Sequence, residues 1–393
     1  MTKIHNFERD LKRVVERIEK SKIQTENKSK IFEFKDYLLS EGIGYARITK
    51  YLQQLIKVDE RLNKKFVEAN EQDIRKVVSK INQSNYSEST KRDYRLVLRK
   101  FYRFLRGCKK KGIYPPEVEW ISLTMANNHK KLPEELLTES EIKSIIKHCE
   151  TIRDKALVAT LAETGARVSE VGNLKLKHVS MEEYGARLNL SGKTGTRKVL
   201  VVSCAPLLHE WINQHPKNEN PEAYLWYNPK GELLQYARIK TILKKAARRA
   251  GIKKRVHPHL LRHSQATHMA SMMSESSMKQ YFGWTQGSKM AGIYVHMSGK
   301  ETDETILRAN GIEIKKDLQE SKLKPQNCER CKTLNSATNK FCRSCGFPLN
   351  KQAQEEVMQK ENQTNKINDV MNFLVKDPKI LEMITQRIKE AEV

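Results

Sequence analysis

No stretch of this sequence stays apolar long enough to cross a bilayer. The longest clean run, Ala156–Ala162, falls far short of the roughly 18–20 residues that a span needs. The first twenty residues, MTKIHNFERDLKRVVERIEK, lack the apolar core of a secretory signal, so a reducing, cytoplasmic compartment is expected and no membrane partner. Apolar residues are scarce as well, 38% of the chain against the roughly 45–50% of an average globular protein. That is still enough for several modest cores, which excludes wholesale disorder. No internal repeat is present, so solenoid architectures are excluded. Acidic residues are in deficit: 47 Asp and Glu face 73 Lys and Arg, a net charge of +26 over 393 residues.

At roughly 150 residues per domain, this length predicts two to three domains. The positive excess is spread about equally over residues 1–130 and 131–324, continues weakly through 325–350, and is gone from the tail. A chain with positive charge on two large bodies is suited to wrapping a polyanion, and double-stranded DNA or RNA is the leading candidate.

Residues 1–20 place Ile4, Phe7, Leu11, Val14 and Ile18 at three- and four-residue intervals, predicting an amphipathic helix. Residues 21–112 then read as a compact all-helical domain. Its clearest helix follows Ser87, with Tyr94, Val97, Leu98, Phe101, Tyr102 and Leu105 as an apolar stripe and Gly107 as a stop signal. Lys91, Arg92, Arg95, Arg99, Lys100 and Arg103 crowd the rest of that helix against the single acid Asp93. A solvated face is the ordinary reading of such a surface; the imbalance favours phosphate contact, with Lys91, Arg92, Arg95, Arg99 and Arg103 as candidate DNA-binding residues. Residues 113–131, with Pro115–Pro116 and Asn127–Asn128, have the look of an interdomain linker. A second domain, 132–315, opens at the capping-box spacing Thr138-Glu-Ser-Glu141. It is mainly helical, broken by a hairpin: Arg187–Leu190, the turn Ser191-Gly-Lys-Thr-Gly195, then Lys198–Val202. Alternation in both arms is poor, so the hairpin rests on its glycines and β-branched residues.

Chemistry concentrates in 164–294. Thr164-Gly-Ala-Arg-Val-Ser-Glu170 sets an arginine directly after a helix-breaking turn. His259-Leu-Leu-Arg262 sets a histidine and an arginine on one helix face. Gly283-Trp284 and Tyr294 follow at short intervals. This order resembles the tyrosine recombinase (phage-integrase) family, in its Xer-like or archaeal-type integrase form. That family carries an arginine in a TGxRxSE-type motif, a hairpin lysine, HxxR, a His or Trp, and a nucleophilic tyrosine. The match covers about 131–310, and the preceding helical domain resembles the family's core-binding domain.

The resemblance implies a helical core-binding domain joined to an α+β catalytic domain, and a site-specific recombinase or integrase that cuts and rejoins DNA through a Holliday junction without ATP. Tyr294 would attack the scissile phosphate to leave a 3′-phosphotyrosine. Arg167 and Arg262 would hold the non-bridging oxygens with forked, permanently charged donors. Lys193, at the hairpin tip, would supply the proton for the leaving 5′ oxygen, with Arg197 and Lys198 as rivals. His259 would bond the phosphate or help take the tyrosine proton; His257, His263 and His268 are its rivals, and only His259 stands three before Arg262. Trp284, whose indole is a donor only, would bind phosphate or simply fill the core. Glu170 would orient a neighbouring basic residue from behind. Tyr281 is a rival nucleophile but precedes Gly283-Trp284. The family also implies a tetramer on two DNA sites, often built by exchanging C-terminal segments. A type IB topoisomerase, a telomere resolvase and a catalytically silent DNA-binding regulator are the alternative readings. Between the integrase of a mobile element and a chromosome-dimer resolvase, the appended C-terminal parts lean towards the former, acting on nucleoid DNA.

Three cysteines, Cys108, Cys149 and Cys204, are scattered and read as ordinary thiols. The other four, Cys328-x2-Cys331 and Cys342-x2-Cys345, have the spacing of two knuckle turns around a tetrahedral zinc. An iron–sulfur cluster or a redox dithiol is the alternative. With no catalytic ligand nearby, the metal of a zinc ribbon at 325–350 would be structural and its binding would be the segment's folding energy; no cofactor is expected for catalysis. The tail, 351–393, is weakly amphipathic through Ile367, Val370, Met371, Leu374, Leu381, Ile384 and Ile388. It is read equally as an assembly element or as a pair of helices packed back on their own chain.

Overall fold

The computed structural model describes residues 4–110, 112–124, 135–298, 310, 321–376 and 378–391. The chain divides into two units near residue 131. No described helix is long and apolar enough to cross a membrane.

The first unit is all-helical: α1 (Phe7–Glu19), α2 (Thr25–Ser40), α3 (Tyr45–Leu62), α4 (Glu71–Gln83), α5 (Glu88–Leu105) and the one-turn α6 (Pro116–Glu119). Helix α5 starts where expected, with Ser87 Oγ capping the Thr90 N–H, and ends at Gly107 in the left-handed region. Its stripe Tyr94, Val97, Leu98, Phe101 and Tyr102 is buried, each side chain stabilising the fold by about 1.5–3 kcal/mol. Two expected boundaries shift. Helix α1 is not a separate element, because Leu11, Val14 and Ile18 enter the same core as α2–α5. Nor is 113–124 a linker: α6 and the residues after it bury Val118 and Ile121 in that core. The rest of the expected linker, from 125, lies outside the described residues.

In the second unit the capping box forms as expected. Thr138 Oγ1 accepts from Glu141 N, and the Glu141 carboxylate accepts from Thr138 N, at the head of α7 (Glu139–Lys147). There follow α8 (Ile152–Thr164), α9 (Val168–Gly172), a three-stranded antiparallel sheet, α10 (Ala205–Asn213), α11 (Tyr236–Arg249), α12 (Pro258–Ala270), α13 (Glu275–Phe282) and α14 (Met290–Ser298). The sheet order is β1 (Val179–Glu182), β2 (Gly185–Gly192), β3 (Gly195–Val201); β1 had no sequence signal. The β2 and β3 arms are longer than expected, and their full length reveals the alternation that the fragments hid. Ala186, Leu188 and Leu190 point inward with Val199 and Val201, while Asn189 and Lys198 face out. Of the second domain expected over 132–315, residues 299–309 and 311–315 lie outside the described residues.

Near the C-terminus the short strands β4 (Gln326–Asn327) and β5 (Leu334–Asn335) pair, and α15 (Lys351–Val375) and α16 (Pro378–Ala391) follow. Helix α15 is tied to the β4–β5 module by buried Ala353 and by the ion pair of Lys340 with Glu356. Farther along, Met358, Ile367, Val370, Met371, Phe373, Leu381 and Met383 are exposed. These apolar side chains of the tail are therefore left uncovered.

A cationic hollow and a cysteine cluster as candidate sites

The hollow is built on two glycine turns. Helix α8 ends at Gly165 with φ +51°, and a Cβ there would lie 2.6 Å from Cε1 of Phe282. Helix α13 ends at Gly283 with φ +62°, where a Cβ would lie 2.5 Å from Nη1 of Arg197. Only glycine serves both positions, for conformation and for space. Their carbonyls, and that of Phe282, become acceptors for the arginines. Arg262, one turn into α12 and buried, donates Nη1 to Gly165 O (2.7 Å) and Nη2 to Phe282 O (3.0 Å). Arg167, the residue that opens α9, donates Nη1 to Glu170 Oε1 (2.9 Å) and reaches Gly283 O at 3.3 Å. Thr194, on the hairpin turn, donates to the same Gly283 O (2.8 Å) and lies 3.4 Å from the Arg167 guanidinium. The β2–β3 tip is thereby pinned beside Arg167, and exposed Lys193 stands at that tip.

Glu170 is buried beneath this arrangement and holds two arginines at once. One oxygen takes Arg167; the other takes Arg197 Nη2 at 2.9 Å and the Arg167 backbone N–H at 3.0 Å. Burial alone would raise its carboxyl, but the Arg197 and Arg167 guanidiniums outweigh it and hold Glu170 below the usual carboxylate range. Arg262 is brought down to about 10 by burial and by the facing cation of Arg167, and so remains charged at neutral pH. Three guanidiniums against one carboxylate leave the hollow strongly cationic, suited to an anion with several oxygens.

Tyr294, on α14, closes one side. It is buried, its ring stacks on Trp284 (centroids 5.6 Å apart, planes 2° apart), and its hydroxyl bonds Nδ1 of His263 at 2.5 Å. Burial raises its phenol above the ordinary value, and Arg262 partly offsets this. Trp284 in turn stacks on Phe282 (5.0 Å) and lies under the Arg262 guanidinium (5.4 Å).

Arg167, Arg262, Glu170, Trp284 and Tyr294 are therefore gathered in one place, with the Lys193 turn fixed alongside. The rivals find other tasks. Tyr281 is buried and donates its hydroxyl to Glu163 O (3.1 Å). Arg197 is a brace, donating Nε to Tyr281 O (2.8 Å), and an arginine does not give up protons in any case. Lys198 lines a cavity with Glu163, Met269 and Tyr281. His257 caps α12 by accepting from Leu260 N, and His268 lies 3.6 Å from Glu139. His259 is exposed on the first turn of α12 and packs edge-on against His263 at 4.6 Å. It is His263, set aside for lack of the HxxR spacing, that touches the tyrosine. Sequence offered a signal only in retrospect: 259 and 263 are one turn apart, so both share the face of α12 that meets α14.

The arginine row on α5 is more than a solvated face. Arg92 Nε donates to Leu123 O, Arg95 Nη1 to Ser122 O and Arg99 Nη1 to Ile121 O, a ladder onto successive carbonyls of the chain after α6. Arg99 also lies 3.8 Å over the Tyr114 ring, and Arg103 donates to Cys108 O and Lys109 O. Lys91 pairs with Glu88. Candidate DNA contacts are thus at least partly engaged within the protein.

Cys328, Cys331, Cys342 and Cys345 bring their sulfurs within 4.8 Å of one another. The Cys328–Cys345 and Cys331–Cys342 pairs stand 3.6 and 3.5 Å apart. A zinc tetrahedron with bonds near 2.3 Å has sulfur edges of about 3.8 Å, so the four-thiolate donor set and its approximate spacing suit that ion. Ser344 N–H and Asn335 Nδ2 aim at Cys342 Sγ (3.4 and 3.6 Å), a pattern that favours thiolate. The module sits on the catalytic body through Arg343, which donates to His209 Nδ1 (2.7 Å).

Known families and proteins resemble the chain over both units. The family model "Phage integrase family" matches residues 135–301, and "Phage integrase, N-terminal SAM-like domain" matches 31–108. A tyrosine recombinase XerA of Pyrococcus furiosus is 34% identical over 47% of this chain and 65% of its own length. The XerA of Pyrococcus horikoshii is 28% identical over 72% of this chain and 93% of its own. Among solved structures, the XerH site-specific recombinase bound to a palindromic difH substrate has a TM-score of 0.54 at 22% identity, covering 77% of this chain and 95% of that one. A lambda integrase dimer on a core site has a TM-score of 0.55 at 14% identity, covering 69% and 77%. These likenesses concern the fold.

Proposed function

The chain belongs to the phage integrase family of tyrosine recombinases, and we propose that it breaks and rejoins duplex DNA at a specific site through a 3′-phosphotyrosine bond. The observation that carries this reading is the meeting of Arg167, Arg262 and Tyr294 at the Gly165 and Gly283 turns, with the Lys193 hairpin tip bonded to the same carbonyl.

A phosphodiester seated there gives up its 5′ oxygen to a transesterification that conserves bond energy and so needs no ATP. Tyr294 Oη bonds the phosphorus, the P–O5′ bond breaks, and the Lys193 ammonium protonates the departing 5′ oxygen. Arg167 and Arg262 bind the non-bridging oxygens as their charge grows, and their guanidiniums are already oriented by Glu170 and by the Gly165 and Phe282 carbonyls. Donors fixed beforehand in this way cost no reorganisation during reaction. His259 donates to a phosphate oxygen from the first turn of α12. A full exchange passes through a Holliday junction on two duplexes held by four copies. The basic charge of both units fits that task, and the uncovered apolar side chains of the tail fit an assembly role. A mobile element's integrase working on nucleoid DNA is the favoured setting.

The test is a half-site duplex whose 3′ side ends a few nucleotides beyond the cut, so that religation is impossible. Protein is expected to become joined to the end that carries the 3′-phosphate, without nucleotide cofactor and only at a preferred sequence. A 5′ adduct, or relaxation of plasmids with no site preference, would sink the recombinase reading.

The cysteine module is proposed to hold one structural zinc. Replacing Cys342 by Ser is expected to drop bound zinc from about one equivalent to near zero, read by elemental analysis, and to expose 325–350 to protease. The half-site adduct should still form, since no cysteine lies among the reacting groups.

A further inference from the structure

We propose that His263 is the base that takes the phenolic proton of Tyr294. This inference rests on the strand-cleavage reading above and assigns one of its steps to a residue outside the HxxR pattern.

Three observations lead to it. First, His263 Nδ1 is the partner of the Tyr294 hydroxyl, at 2.5 Å, with the two rings tilted at 45°. Second, the other candidate bases are committed elsewhere. Both Glu170 oxygens are held by Arg167 and Arg197, His257 caps its helix, and His259 meets the ring of His263 rather than the phenol. Third, Tyr294 needs help. A phenol whose ionisation is opposed by burial and favoured only partly by Arg262 is a poor nucleophile at neutral pH unless its proton has somewhere to go.

In the tautomer with its proton on Nε2, His263 presents the Nδ1 lone pair and the phenol O–H donates to it. As Oη attacks, the proton passes to Nδ1 and the ring becomes imidazolium. The Oη–P bond forms, the P–O5′ bond breaks, and the 5′ oxygen is protonated by Lys193. Rejoining reverses each transfer, with His263 returning the proton to Tyr294. Helix geometry divides the labour: His259 sits one turn nearer the N-terminus of α12, where an approaching anion is favoured, and His263 sits beside α14.

Single-turnover cleavage of the half-site duplex tests this, with either an ordinary phosphate or sulfur in the bridging 5′ position. Asparagine at 263 places its amide oxygen close to where Nδ1 stood, so His263→Asn keeps a hydrogen-bond acceptor and loses the base. On ordinary phosphate, His263→Asn and His263→Ala are each expected to slow cleavage roughly 100-fold or more, with half-site binding retained. Lys193→Ala should also be slow. Sulfur leaves without a proton, so the thio-substrate should restore Lys193→Ala to near the wild-type rate and leave both His263 variants slow. Two results overturn the inference: cleavage by His263→Asn within about threefold of wild type, which reduces His263 to a positioning contact, or rescue of the His263 variants by sulfur as complete as that of Lys193→Ala. Should the wild-type protein itself form no adduct with either duplex, it is the strand-cleavage reading that fails.

Discussion

Tyr294→Phe, a change of one oxygen, is expected to abolish the covalent protein–DNA adduct, with cleavage at least about 10⁴-fold below wild type, while half-site affinity changes little. The ring that stacks on Trp284 at 5.6 Å is retained, so the hollow keeps its wall. The lost hydroxyl removes one hydrogen bond to His263, a stability cost of about 1 kcal/mol. No neighbouring hydroxyl can substitute, because a nucleophile must reach phosphorus from the side opposite the leaving oxygen. Tyr281→Phe is the control. Its hydroxyl donates to the Glu163 carbonyl, so that variant should lose about 1 kcal/mol of stability and keep the adduct. Denaturing gel electrophoresis after incubation with labelled half-site DNA decides the matter. An adduct in Tyr294→Phe that vanishes in Tyr281→Phe would reverse the assignment.

How far the sequence foretold these sites depended on whether a residue's task is local. The Thr138 capping box, the α5 stripe and the Gly165 turn act within a few residues of their own motif, and all were legible. The catalytic set was legible only through resemblance, since nothing in spacing alone brings Arg167 to Gly283, 116 positions away. His263 escaped because its partner lies 31 residues on, across a helix–helix contact that periodicity does not specify. The α5 arginines escaped for a related reason: their carbonyl acceptors at 121–123 lie in a segment with no pattern of its own. Burial also changes the meaning of a charge. Arg197 looked like a spare cation on a hairpin, and the buried Glu170 makes it a brace. In the sheet, the two arms looked irregular because only parts of them had been recognised, and β1 carries too few inward residues to show itself.

That brace sets the second large effect. Glu170 has no exposed side-chain surface, and Ala in its place leaves the Arg197 guanidinium, itself only 11% exposed, without a counter-charge. Breaking a buried pair from one side costs about 3–5 kcal/mol, far more than a surface pair would. For a unit of this size that corresponds to a fall in Tm on the order of 10 °C. Cleavage should fall as well, because Arg167 loses the partner that aims it at the phosphate and Arg197 no longer fixes the hairpin to α13. Glu170→Gln separates charge from shape: it keeps an acceptor for one arginine and should lose less. The pH dependence follows from the sign of the shift. A carboxyl held below its ordinary value stabilises the fold fully above the unfolded carboxylate pKa, about 4.3, and loses that contribution as pH falls through the lower folded value. The Tm gap between wild type and Glu170→Gln should therefore stay constant from pH 8 to about 5.5 and narrow below pH 4.5. A gap that instead widens as pH falls from 8 to 6 would mean that burial outweighs the two arginines and that Glu170 is protonated in the folded protein. The hollow would then carry one more unit of positive charge.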